Sequence, residues 1–222
     1  DITRSEDRIA ELKREYGEIE KKANDIASKI SQKRINAAKT LEEQVGNCLA
    51  FLEMPKVRFK VLVDKSDSFG PRGKDNVCFM LSANPGEPLK DLSKIASGGE
   101  LSRTMLAIKS ILLDKDNVGT MIFDEIDAGI SGQAALKVGN RLKSVAKNRQ
   151  VICVTHLAQI ACMADCHLQI KKTTDSDRTY TEITPLDNDG RKNELARIIG
   201  GNVTQSALKT AEELLNTYNQ SN

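Results

Sequence analysis

Apolar residues near the start of the chain recur at alternating spacings of three and four: Ile9, Leu12, Tyr16, Ile19, Ala23, Ile26 and Ile30, with Ile2 in phase ahead of them. A period of about 3.5 residues predicts a heptad seam, a narrow stripe that a partner helix must cover. The positions between are mostly Glu, Lys, Arg and Asp. That suits a coiled coil better than an amphipathic helix lying on its own domain. The stripe then changes phase, running through Ala38, Leu41, Val45, Leu49 and Leu52. The change predicts a stutter or a bend where the coil meets a globular body. Pro55 ends the helix.

Alternation takes over in Val57–Val63, which predicts a strand. A polar turn over Ser66–Asn76 and a second strand over Val77–Leu81 complete a hairpin, followed by the loop Asn84–Pro88. Helical spacing returns in Ser102–Leu113. A short apolar strand, Gly119–Phe123, precedes a helix over Ala134–Ala146 and a buried strand over Gln150–Thr155. Two late strands, His167–Lys171 and Tyr180–Thr184, flank the turn Thr173–Arg178, and helices follow over Glu194–Ile199 and Ser206–Tyr218. Strands alternating with helices in the middle of the chain predict a mostly parallel, covered sheet. No solenoid repeat is present.

Composition adjusts this picture in few places. The 222 residues suit one domain with an appendage or two small domains. Charged residues make up 29% and aromatics 4%, as a long solvated helix beside an ordinary core would give. With 33 Lys and Arg against 31 Asp and Glu, net charge gives no general argument for nucleic-acid binding. No apolar run is long enough to span a membrane. The first residue is Asp1 and no signal peptide is evident, so the chain reads as a fragment. The odd count of five cysteines, several in apolar contexts, suggests reduced thiols.

Three segments carry candidate chemistry. The apolar strand Thr120–Phe123 runs into Asp124 and Glu125. At the C-terminal edge of a strand, one acid can face a magnesium shell and the next a water. This is a Walker B arrangement, with Asp124 toward Mg²⁺ and Glu125 orienting or deprotonating the attacking water. Taken alone, two acids can equally be strand-end solvation. Ala96-Ser97-Gly98-Gly99-Glu100 precedes the helix of Ser102. Paired glycines admit an anion close to the backbone, and the helix N-terminus attracts it. The plainer reading is a tight turn with an N-cap. Val151–Thr155 delivers His156 to a strand end, where it can donate a hydrogen bond to a γ-phosphate or be merely structural.

The order and spacing of these three segments match the C-terminal lobe of ABC-type ATPases. Within that superfamily the chain resembles the RecN DNA repair ATPases, relatives of SMC proteins, almost end to end. The resemblance rests on Ser82–Glu87, Ile95–Arg103, Phe123–Gly132 and Thr155–Ala161, with Glu194–Arg197 and Gly200-Gly201 at the close. It implies an α/β fold: the C-terminal lobe of an ABC-type P-loop NTPase head over residues 46–222, with a coiled-coil stub over residues 1–45. It implies that Ser97, Gly98 and Gly99 contact the γ-phosphate of ATP held by a second head, with Glu100 closing the signature. Asp124, holding Mg²⁺, and Glu125 and His156 would act on the head's own ATP. Ala128–Ser131, with Gly129 and Ser131, would form the D-loop across the head dimer. Ser131 stands where many ABC proteins have Asp, and Glu100 where transporters commonly have Gln; both departures suit the RecN branch.

The resemblance also implies what lies elsewhere. A P-loop of the form G-x-x-x-x-G-K-[ST] is missing. Gly70–Asp75 imitates it, but the spacing is short, Asp75 replaces Ser or Thr, and the segment sits in a hairpin turn. In this family the P-loop belongs to an N-terminal lobe ahead of the coil, so the implied partners are that lobe, a second head and, for the whole protein, DNA. No membrane partner is implied, and the implied place is the bacterial cytoplasm, at the nucleoid. Cys153, His156, Cys162, Cys166 and His167 offer zinc-ligand types but no C-x-x-C pair. The competing functional class is a structural SMC-like module that tethers DNA or a partner protein. A transporter domain is disfavoured by the coil.

Overall fold

The computed structural model describes residues 2–95, 98–113, 115, 117–175 and 178–219. The chain forms two compact units, Asp1–Gly46 with Lys56–Ile95, and Asn47–Pro55 with Ala96–Asn222.

The first unit is built along helix α1, Ile2–Phe51, whose last turn belongs to the second unit. At 50 residues it is about 75 Å long. It runs unbroken through the predicted phase change, because residues 30–45 contain neither Gly nor Pro. The phase change appears instead as a change of covered face. Ile9, Leu12, Tyr16, Ile19 and Ile26 are exposed, whereas Ala27, Ser31, Ala38 and Val45 are buried.

Strands β1 (Arg58–Gly70) and β2 (Gly73–Ser82) form an antiparallel hairpin, and β3 (Lys90–Asp91) adds a short edge to β2. The hairpin is longer than the apolar alternation predicts. Its polar end pairs on because its side chains are anchored to α1. Asp75 accepts hydrogen bonds from Ser31 Oγ at 2.6 Å and Arg34 at 2.7 Å, and Lys74 Nζ donates to Asn24 Oδ1 at 3.0 Å. Nearer the base, Glu42 accepts from Lys60 Nζ at 2.7 Å and from the Val61 amide at 2.9 Å. The chain reverses at Pro71-Arg72, and Gly73 takes a φ of +101° there. The glycine-lysine run that imitates a P-loop is therefore the tip of this hairpin.

The second unit contains α2 (Gly98–Ile111), β4 (Thr120–Phe123), α3 (Gly132–Ala146), β5 (Gln150–Cys153), α4 (Ala158–Ala161), β6 (Leu168–Asp175), β7 (Arg178–Pro185), α5 (Asn188–Gly200) and α6 (Gln205–Asn219). β4 and β5 pair in parallel, with Thr120 opposite Gln150 and Phe123 opposite Cys153. β6 and β7 form a separate antiparallel hairpin. Parallel pairing is thus found at the centre of the chain, where helices separate the strands. The covering expected there is present on one face only. Met121 and Phe123 are buried, while Ile122 is 69% exposed and Ile152 and Val154 are also exposed.

Helix α3 shows why the inner face is dry. Ala135, Val138, Leu142 and Val145 recur at helical spacing and are buried. A second cluster joins Ala158, Ala161 and Cys162 to Leu195, Ala196, Ala207 and Ala211. Small residues dominate it, so α5 and α6 pack closely after the left-handed cap at Gly201. Among the described residues, no helix is long and apolar enough to cross a membrane.

Candidate nucleotide-hydrolysis site

The parallel pair aims its carboxylates. Asp124 and Glu125 follow β4 directly, and β5 continues to Thr155 and His156 alongside, tied by the Val154 amide donating to Phe123 O at 3.0 Å. Asp124, Glu125 and His156 are all solvent-exposed at this strand edge. The Asp124 carboxylate accepts its neighbour's amide, Glu125 N, at 2.9 Å, and Ser102 Oγ donates to Asp124 O at 2.7 Å. Glu125 sits at φ +54°, a left-handed conformation that costs a residue with a Cβ about 1–2 kcal/mol.

Gly98 and Gly99 lie against this turn. The sequence reading starts the helix at Ser102, but α2 begins at Gly98, so Gly98, Gly99 and Glu100 form its first turn. A Cβ at Gly98 would overlap Glu125 Oε2, and one at Gly99 would stand 2.8 Å from Ala128 O and 2.9 Å from Ala128 Cβ. The glycines are needed here for close packing. Ser97 lies outside the described residues.

The segment after Glu125 is a compact loop. Ala128 N donates to Glu125 O at 3.0 Å, and Gly129 and Gly132 take φ values of +73° and +52°. Ser131 stands at the N-cap of α3 without a side-chain capping bond. Gly129 and Ser131 are exposed in this loop.

Two residues without a role in the sequence reading organise the site. Arg103 is 5% exposed, and its Nη1 donates to Ile126 O at 3.0 Å and Ala128 O at 2.8 Å. Burial pulls the Arg103 guanidinium below its ordinary pKa, an effect opposed by Glu100 and Asp127. Asp127 is 3% exposed and accepts from Thr155 Oγ1 and the His156 amide. The signals were present in the sequence: a charge on the apolar face of α2, and a third acid just past the strand end.

The fit to a metal can be judged from the donors. A single exposed carboxylate suits Mg²⁺, which keeps several waters and is held largely by phosphate oxygens. Among the described residues, no three His, Cys, Asp or Glu side chains converge on a common point. The Cys153 thiol is pushed up to about 12 by burial and by Asp127 and Asp124, and burial raises Cys162 to about 11.

The fold is similar to part of the Smc head domain. The Smc head domain with coiled coil and joint from Pyrococcus yayanosii superposes with a TM-score of 0.51 at 16% identity, covering 81% of this chain and 30% of that one. The Smc head with extended coiled coil from Pyrococcus furiosus gives 0.50 at 17% identity, covering 86% and 42%. No family model matches the chain.

Sequence similarity narrows the class. DNA repair protein RecN of Rickettsia prowazekii is 44% identical over 191 residues, covering 86% of this chain and 34% of that protein. RecN of Bacillus subtilis is 39% identical over 235 residues, covering 99% and 41%. RecN of Vibrio cholerae is 42% identical over 191 residues, covering 85% and 34%. The chain is thus RecN-like over nearly its whole length, and spans well under half the length of the RecN proteins it matches.

Proposed function

We propose that residues 46–222 are the C-terminal lobe of a RecN-like ATPase head and residues 1–45 a coiled-coil stub. Joined to a P-loop lobe, this half takes part in ATP hydrolysis at a composite interface between two heads, in DNA double-strand break repair and recombination in the bacterial cytoplasm, at the nucleoid. One observation carries the reading: Asp124, Glu125 and His156 emerge side by side from a parallel strand pair, with the first turn of a glycine-led helix against Glu125.

Each residue has a distinct task. Asp124 would hold Mg²⁺, through water, as one wall of a site completed by phosphate oxygens. Mg²⁺ supplies charge neutralisation on the β- and γ-phosphates when bound. Glu125 orients the attacking water and accepts its proton. His156 contacts the γ-phosphate of the same ATP. Ser97, Gly98 and Gly99, with Glu100, cap the γ-phosphate of ATP on the second head through the α2 N-terminus. Gly129 and Ser131 lie in the loop that crosses between heads. ATP then clamps two heads together, and hydrolysis releases them.

The test is ATP turnover by the full-length protein. Glu125→Gln keeps the shape and removes the base, so turnover drops by roughly 100-fold or more while ATP binding persists. Retained turnover would sink the assignment.

A structural tether remains the second reading, and the exposed seam Ile9, Leu12, Tyr16 and Ile19 favours it. Salt-dependent DNA affinity in this chain alone, without nucleotide, would support tethering.

A further inference from the structure

We propose that Asp127 is the positioning residue for His156, its buried carboxylate fixing both the tautomer and the direction of the His156 ring. The inference rests on the reading above, in which His156 meets the γ-phosphate, and assigns the control of that contact.

One oxygen does the holding. Asp127 Oδ2 lies 2.5 Å from Thr155 Oγ1, 2.8 Å from the His156 main-chain nitrogen and 3.0 Å from His156 Nδ1. The anchor is hidden and the ring is not: side-chain exposure is 4% for Asp127 and 75% for His156. Two groups of the same histidine share that oxygen, so turning the side chain about its first two torsions breaks the Nδ1 contact. A ring that donates Nδ1–H to a carboxylate has Nε2 as its outward nitrogen. The neutral ring then offers Nε2 as an acceptor. Donation from Nε2 to a phosphate oxygen requires a second proton on the ring, taken from solvent.

Thr155 and Arg103 hold the anchor itself. Thr155 Oγ1 donates a hydrogen bond to Asp127 and accepts one from the Leu157 amide at 3.1 Å, which seats the chain entering α4. Arg103 donates to the carbonyls of Ile126 and Ala128, one on each side of Asp127. Arg103 belongs to α2, whose first turn carries Gly98 and Gly99. The helix that receives one ATP is therefore bonded to the backbone that aims the histidine at another.

Nitrogen-15 NMR tests this in the chain itself. It holds two histidines, and the resonance missing in a His156→Gln variant identifies His156. At alkaline pH, where imidazole is neutral, wild-type His156 is expected as the Nδ1–H tautomer. Asp127→Ala removes the acceptor and shifts His156 to the Nε2–H form that solvated imidazole prefers. Thr155→Val leaves Nδ1–H in place. An Nε2–H tautomer in the wild type overturns the proposal, as does an unchanged tautomer in Asp127→Ala. The wild-type spectrum decides even if that variant fails to fold.

In the full-length protein, Asp127→Ala should lower kcat by about 10- to 100-fold with little change in KM for ATP. The Asp127→Ala, His156→Gln double variant should be no slower than His156→Gln alone. Losses that multiply would overturn the positioning role. Absence of any ATP turnover in the wild type would instead defeat the proposed function and leave the tautomer result standing.

Discussion

Arg103 and Asp127 are buried polar side chains, and both hold backbone groups. Replacing Arg103 with Met keeps the bulk and removes the donors, leaving the Ile126 and Ala128 carbonyls without that partner. The expected loss is about 1–3 kcal/mol of stability, read by denaturant unfolding, with faster amide exchange across residues 126–131. Glu194 contributes a pH dependence. Hydrogen bonds from Arg197, and a further one from Gln169, outweigh burial and hold its carboxyl below the ordinary range. A lowered folded value means that its contribution is fully present above the ordinary glutamate range and is lost as pH falls through the folded value. Glu194→Gln should therefore flatten the acid side of the stability profile, measured as unfolding midpoints across pH. Asp124, Glu125 and His156 were legible in the sequence because strand ends and short motifs mark them. Arg103 and Asp127 leave a mark in the sequence, a charge on an apolar helix face and an extra acid past a strand, but that mark does not name their partners, which come from other elements.

At the scale of elements, the end of α1 shows what a local rule can miss. Pro55 correctly signals a stop, but the cap is built three residues earlier. The Met54 amide donates to Leu49 O at 2.8 Å and the Glu53 amide to Ala50 O at 3.1 Å, with Glu53 at φ +63°. This is a Schellman cap with glutamate where glycine is usual. Glu53→Gly relieves the left-handed strain but loses an exposed ion pair to Lys137. The expected result is a net gain of up to about 1 kcal/mol in thermal or denaturant unfolding. The hairpin β1–β2 outruns its sequence pattern for the opposite reason. Its far half is polar, so alternation fades, while Asp75 and Lys74 gain their anchors from a helix more than 40 residues earlier in the chain. Helix α2 starts earlier than its sequence pattern predicts, because glycine is a poor helix former and packing against Glu125 and Ala128 overrides that preference.

The whole chain carries uncovered apolar surface in both units. In the first, the heptad seam is open along α1; in the second, Ile122, Ile152 and Val154 face outward from the parallel pair. A partner-dependent stripe predicts indifference to mutation in this chain. Ile19, 66% exposed, should tolerate Asp with a change within about 0.5 kcal/mol in denaturant unfolding. In the full-length protein the same Ile19→Asp change should lower the unfolding midpoint measurably, because a charge would enter a helix pair. The seam was legible because its period needs no tertiary information. The one-sided sheet was not, since a short apolar strand looks alike whether one face or both are covered.

The left-handed glutamate has a consequence for how such a sequence can change. The backbone at position 125 favours a residue such as Asn or Gly, and the proposed chemistry favours a carboxylate with Glu's reach. Stability and turnover therefore pull this position in opposite directions. Variants enriched only for heat resistance should drift away from Glu125, whereas variants enriched for ATP turnover should keep it and recover stability elsewhere. Position 125 would then report which of the two pressures a population has met.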